Sequence, residues 1–388
     1  MSGGTSRPVP TVPDAPDVGI VGGVDTHKDE HAAAALDALG RVRGRAAFPA
    51  TPDGYGRLLD WLAGFGPVRR VGVEDTSAWG AGLTRFLRAA GVEVLEVSRP
   101  NRQRRRRAGK SDPADAEAAA RAVLAGEALG VPKAQDGPVE AIRALRVARR
   151  SALHARTQAA NQLRSLLDTA PADLREALRG RTLRRIVDAA RRFRPAADLA
   201  VPAAATKAAL RSLARRWLAL TEEMAALDQQ LAQLVRATAP SRLLDEVGVG
   251  PDVAGALLVA AGDNPHRLHT EASFAALCGT SPRDASSGRQ RRHRLNRGGN
   301  REANAALWRI VMVRLRWSHP ATQAYVDRRV GEGKTPREAI RCLMRYLARR
   351  VWRLLTQAPP APLHAWPLAP PNHVSADDHA GALTHEYV

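Results

Sequence analysis

The order of strand-like and helix-like segments in the first third of the chain restricts the fold more than any other feature. Residues 18–24 form a short apolar run. Residues 31–36 and 42–48 flank the turn Ala38-Leu39-Gly40 and predict a hairpin. Residues 55–63 place Leu58, Leu59 and Leu62 at helical spacing. A strand over 71–74, a helix over 82–90, a strand over 92–97 and an Ala-rich helix over 113–124 follow. Three strands in a meander and then alternating helix and strand call for one sheet with helices packed on it.

That order is the one found in RNase H-like α/β domains, where the first and fourth strands lie side by side. Such a sheet gives meaning to four carboxylates. Asp25 ends the first strand in GVDTHKDEH, and Glu74 ends the fourth in VGVED. Asp112 and Asp115 lie in KSDPADAEAAARA. Pro113 suits the first turn of a helix and Asp112 its N-cap, and the spacing of three keeps both aspartates on one side of the helix start. Converging carboxylates repel one another unless a cation sits among them. Hard oxygen donors of this kind suit Mg²⁺ or Mn²⁺, and two such ions about 3.5–4 Å apart can clamp both sides of a phosphoryl transfer. Each residue also has a plainer reading, as a cap, a surface charge or a turn former. The joint order D, E, D-x-x-D favours the metal site.

The pattern changes after residue 137. Residues 141–167 and 207–235 are long amphipathic stretches that predict paired, coiled-coil-like helices. A third, compact helical region begins near Leu243. The expected plan is a tail over 1–17, an α/β domain over 18–136, a helical middle over 137–240, a helical domain over 241–357 and a Pro-rich tail over 358–388. The fold class is α/β plus all-α.

Charge narrows the partners. The chain has 388 residues, with 59 Lys and Arg against 39 Asp and Glu, a formal net charge of +20. Such an excess points to a polyanion, and nucleic acid is the default. No apolar run approaches the roughly 18 residues of a membrane span. No basic-then-apolar leader opens the chain, and the two cysteines, Cys278 and Cys342, stand outside any zinc-ligand spacing. A reducing cytoplasm, close to a bacterial nucleoid, is the expected setting.

The basic residues cluster. Arg102, Arg104, Arg105, Arg106, Arg107 and Lys110 immediately precede the acidic helix. SSGRQRRHRLNRGGNR holds Arg289, Arg291, Arg292, Arg294, Arg297 and Arg301 with three glycines. Arginine pairs well with phosphate, and glycine lets a backbone come close. VGVGPDVAGALLVAAG has the hairpin of a helix-hairpin-helix, which presents backbone N–H groups to phosphates. A plain helical turn would read alike.

With these motifs in order, the chain resembles the RuvC-like DEDD transposases of the insertion sequence 110 family, the RNA-guided bridge recombinases. GVDTHKDEH, VEDTSAWG and KSDPADAEAAARA look like its three acidic blocks. VGVGPDVAGALLVAAGDNPHRLHTEASFAALCGTSP, followed by SSG and RGGN, looks like its C-terminal transposase domain. The resemblance covers nearly everything from residue 18 to about 355. It implies that Asp25, Glu74, Asp112 and Asp115 are metal ligands and that Ser287, before Gly288, is a catalytic serine. Physics alone does not separate Ser286 from Ser287. The resemblance further implies DNA substrates at element ends and targets, a structured guide (bridge) RNA, and self-association as a dimer or tetramer. Two rivals stand beside it: a RuvC-like nuclease using the acidic site alone, and a non-catalytic nucleic-acid-binding protein.

Overall fold

The computed structural model describes residues 19–97, 111–128, 130–285 and 293–356. They form two compact units. One comprises the described residues up to Ala141 together with Ala261–Arg267. The other comprises Ile142–Ala260 and the described residues from Leu268 onward.

The first unit contains β1 (Ile20–Thr26), β2 (Glu30–Leu36), β3 (Val42–Pro49), α1 (Pro52–Ala63), β4 (Val68–Glu74), α2 (Ala81–Ala89), β5 (Glu93–Val97) and α3 (Asp112–Leu124). The five strands make one sheet in the order β3-β2-β1-β4-β5. The first two pairings are antiparallel, and β1–β4 and β4–β5 are parallel. The first and fourth strands are neighbours, as the element order predicts. The middle strand β1 is buried along its whole length, whereas β3 alternates between half-buried and exposed residues, as an edge strand does.

Each face of the sheet buries its own cluster. Leu58 and Leu62 of α1 and Leu83 and Leu87 of α2 cover Val24, Val71 and Val73. On the other face Ala116, Ala119, Ala120 and Val123 of α3 cover Val21, Ala34, Leu36, Leu95 and Val97. The alanines let α3 lie low, and two glycines let it lie lower. Gly23 of β1 and Gly72 of β4 are cross-strand partners. A Cβ on Gly23 would stand 2.2 Å from the Ala116 carbonyl oxygen and 2.3 Å from the Ala120 nitrogen. One on Gly72 would stand 2.9 Å from the Ala119 carbonyl oxygen. Backbone meets backbone here, so no rotamer change relieves the clash.

Gly23→Ala is therefore expected to destabilise the protein by about 1–3 kcal/mol, the usual scale of overpacking. This exceeds the roughly 0.4–1 kcal/mol that Gly→Ala contributes through the unfolded chain. Urea denaturation measures the difference. A neutral or stabilising Gly23→Ala would show that the helix does not rest on this notch.

The segment entering the next helix, α4 (Pro138–Asp168), is closed by residues far along the chain. Asn264 accepts from the Ala134 N–H at 2.9 Å and donates to the Pro132 carbonyl at 3.0 Å. Asp263 accepts from the Val139 N–H at 2.8 Å, capping the first turn of α4.

Among its described residues, the second unit is helical apart from two short strands. It holds the rest of α4, then α5 (Ala172–Leu178), α6 (Leu183–Ala190), α7 (Pro202–Thr238), α8 (Ser241–Leu244), α9 (Pro251–Ala261, whose last residue belongs to the first unit), α10 (Glu271–Leu277), α11 (Arg301–Arg316), α12 (Pro320–Gly331) and α13 (Pro336–Leu355). The strands β6 (Arg283–Asp284) and β7 (His293–Arg294) pair antiparallel. The long amphipathic stretches of the sequence are α4 and α7. With α5 and α6 they enclose a core of Leu163, Leu174, Ile186, Val187 and Leu210. Between α8 and α9, Gly248 adopts φ +87° beside a turn closed by the Val249 N–H on the Glu246 carbonyl. Among the described residues no helix is long and apolar enough to cross a membrane.

Glu246 at that turn accepts from the buried Arg314 of α11 and from Arg350 of α13, each at 2.8 Å. Removing it would leave the Arg314 guanidinium buried without its carboxylate. Glu246→Ala is expected to cost about 3–5 kcal/mol, read by chemical denaturation. A loss below about 1 kcal/mol would mean that Arg314 is compensated in another way.

Candidate active site

Two strand ends and one helix start meet at the edge of the α3 face. Val24 of β1 pairs with Val73 of β4, so the next residues, Asp25 and Glu74, leave neighbouring strands on the same side. Both are buried. The Thr26 hydroxyl donates to the Glu74 carbonyl at 3.0 Å and ties the strand ends together. Directly after Glu74 the chain turns through Asp75 at φ +51°, a left-handed conformation that aspartate tolerates better than most residues.

The low seat of α3 brings its first turn to this edge. The N-cap is Ser111, whose carbonyl accepts from the Ala114 and Asp115 N–H groups. The sequence assigned that cap to Asp112, and the structure moves it one residue earlier. The physical reason is local: as the first helical residue, Asp112 turns its carboxylate toward His27 instead of toward the helix N–H groups. Asp115, one turn on, is buried.

His27 joins the acidic residues. Its Nε2 lies 3.3 Å from Asp25 Oδ2 and 3.4 Å from Asp112 Oδ1. The side chain of Asp25 is 10% exposed, that of His27 47% and that of Asp112 52%. The group thus runs from the protein interior to its surface. Candidate ligand atoms of Asp25, His27 and Asp112 all lie within 4.8 Å of one another. Burial pushes the Asp25 carboxyl above the usual carboxylate range; His27 opposes the rise, and the charges of Asp115 and Asp112 add to it. A carboxylate held in this way is stabilised by a cation placed among its neighbours. The donor set fits an oxygen-preferring divalent ion.

Asp25, Asp112 and Asp115 are therefore close enough to influence one another electrostatically, and Glu74 sits on the adjoining strand. Ser287, Arg102, Arg104, Arg105, Arg106, Arg107, Lys110, Arg289, Arg291 and Arg292 lie outside the described residues. Arg294, Arg297 and Arg301 are described and exposed. Arg294 pairs with Arg283 across the two short strands, which flank the Ser287 segment in sequence. Arg301 opens α11, where Asn300 caps the N–H groups of Glu302 and Ala303 at 3.0 Å each. His27 was missed by the sequence reading. Its only signal was its place two residues after Asp25, at the turn out of β1.

Two family models match the chain. One, for DEDD transposases of the IS110 type and described as Transposase, covers residues 22–171. The other, described as Transposase IS116/IS110/IS902 family, covers residues 241–327. No curated protein matches.

Proposed function

Since the chain belongs to the insertion sequence 110 family of transposases, enzymes that cut and recombine DNA, we propose that Asp25, Glu74, Asp112 and Asp115 hold Mg²⁺ or Mn²⁺ as its cleavage site. The observation that carries this reading is the convergence of Asp25, His27 and Asp112 beside the buried Asp115 and Glu74. When bound, such an ion polarises a phosphate oxygen and stabilises charge on the attacking and leaving oxygens. Asp25 and Glu74, on strands of a packed sheet, provide the rigid part of the site. Asp112 and Asp115 are carried by α3, and the exposed Asp112 leaves the site open toward a substrate.

In this reading the RuvC-like unit works with a serine nucleophile, Ser287, in the C-terminal part. The serine hydroxyl attacks the DNA phosphorus and one bridging P–O bond breaks. The freed strand leaves as a hydroxyl, taking up the proton the serine gives up. Attack by another strand's hydroxyl then displaces the serine and rejoins DNA without an external energy source. Arg289, Arg291 and Arg292 balance charge on the phosphate. The chain self-associates as a dimer or tetramer and works near the nucleoid. The turn at Gly248 offers a further phosphate contact.

The partner of the basic residues is a structured guide (bridge) RNA as well as DNA. Arg102–Arg107, α4 and the segment from Arg289 to Arg301 supply the contacts. Affinity should fall steeply with salt, each phosphate contact adding about 0.7–0.9 to the log–log slope. The protein should bind RNA from the flank of its own element more tightly than unrelated RNA of equal length. Equal affinity for the two would remove the guided part of the reading and leave DNA recombination standing. The metal part is tested by chelation: cleavage of element-end DNA should stop with EDTA and return with Mg²⁺ or Mn²⁺. Cleavage that persists in chelator overturns it.

A further inference from the structure

We propose that His27 is a direct ligand of the ion at this site and tilts its preference from Mg²⁺ toward Mn²⁺. The inference rests on the metal-site reading above and adds to it a donor of a different kind.

Asp25 and Thr26 end β1, and β2 begins at Glu30. The His27 N–H donates to the Glu30 carbonyl at 3.1 Å, so the backbone of His27 is fixed by the hairpin turn. Thr26 is held in turn by the Glu74 carbonyl. The imidazole thus projects from a backbone anchored on both neighbouring strands, and Nε2 is the atom that faces both aspartates.

The spacing suits shared coordination. Ligand atoms about 2.1 Å from one ion and at right angles to each other are about 3 Å apart. The observed separations of 3.3 and 3.4 Å are a few tenths longer. A small shift of the half-exposed His27 and Asp112 side chains closes that gap.

Chemistry then decides the ion. Mg²⁺ is hard, keeps to oxygen and gives up its water reluctantly. An imidazole nitrogen binds first-row transition ions better, and Mn²⁺ is the member of that row that also accepts an oxygen-rich octahedral shell. One nitrogen among carboxylates therefore favours Mn²⁺ without excluding Mg²⁺. The competing explanation is that His27 is only a counter-charge, standing between Asp25 and Asp112 when no ion is there. That role makes opposite predictions, because a counter-charge competes with any cation equally.

The test uses full-length protein. Mn²⁺ and Mg²⁺ affinities are measured separately by calorimetry for wild type, His27→Ala, His27→Gln and Asp25→Ala. The Mn²⁺-loaded wild type is also examined by pulsed electron paramagnetic resonance for coupling to a nitrogen nucleus. Ligation predicts nitrogen coupling in the wild type that is lost in His27→Ala. It also predicts that both His27 variants lose Mn²⁺ affinity by about tenfold or more while Mg²⁺ affinity changes far less. Equal changes for the two ions, tighter binding of both, or no nitrogen coupling in the wild type overturns the proposal. The wild-type spectrum does not depend on whether any variant folds. If the wild type binds neither ion, or Asp25→Ala binds as the wild type does, the metal-site reading falls and this inference falls with it. If Asp25→Ala alone loses binding, the metal site stands and His27 is not its ligand.

Discussion

Asp25→Ala is expected to abolish DNA strand cleavage while leaving nucleic-acid affinity within about twofold. Asp25 is the most enclosed member of the Asp25–His27–Asp112 group, on the central strand of the sheet, and the basic residues proposed to bind phosphate lie elsewhere in the sequence. Loss of a single group that stabilises transition-state charge costs on the order of 10²–10³ in rate. A ligand that also shapes the ion's position should cost at least that. The variant should not fail merely because it misfolds. In the ion-free protein Asp25 is strained by burial and by Asp115 and Asp112, so replacing it with neutral asparagine removes an unfavourable charge. Asp25→Asn should therefore melt no lower than the wild type without metal, and it should lack the upward shift in Tm that Mn²⁺ is expected to give the wild type. Cleavage by Asp25→Ala at more than about a tenth of the wild-type rate would remove Asp25 from the site.

The second large effect concerns Ser287. Ser287→Ala should eliminate the covalent protein–DNA adduct and all strand exchange. A nuclease that uses water discards the phosphodiester bond energy, whereas a serine ester retains it for the rejoining step. The decisive experiment traps the intermediate on a nicked or suicide DNA substrate with Mg²⁺ and the flanking RNA, followed by denaturation and mass spectrometry. An adduct on Ser287 in the wild type, absent in Ser287→Ala, is the expected result. An adduct on Ser286, or one that survives Ser287→Ala, would assign the nucleophile elsewhere. Strand cleavage with no adduct in the wild type would favour a water-using nuclease.

The sheet was legible because its strands are short apolar runs between turn residues, and their order leaves little choice of neighbours. Placing β1 beside β4 followed from that order, and with it the pairing of Asp25 and Glu74 on adjoining strands. Features that depend on side chains remote in sequence were not legible. Gly23 and Gly72 matter because Ala116, Ala119 and Ala120 lie on top of them, a contact no periodicity reveals. His27 carries no pattern of its own, since a histidine beside an aspartate is common in turns. The cap of α3 was misplaced by one residue because Ser111 and Asp112 are both good caps. Ser111 takes the extended backbone of the cap without a side-chain hydrogen bond to the helix, and the Asp112 carboxylate faces His27.

The closure of the 130–141 segment by Asp263 and Asn264 sets an order of events during synthesis. Roughly 120 residues separate Ala141 from Ala261, where the first unit resumes. At about 5–20 residues per second, a ribosome needs about 6–25 s to make them. During that interval the sheet and α3 can assemble, but the Ala134 and Val139 N–H groups and the Pro132 carbonyl must be satisfied by water. The first unit is finished only when most of the second unit's helices have been made. A chain terminated near residue 141 would thus be held permanently at that stage. A stand-alone α/β domain would lack the three hydrogen bonds that Asp263 and Asn264 make to this segment, unless a grafted peptide restored them.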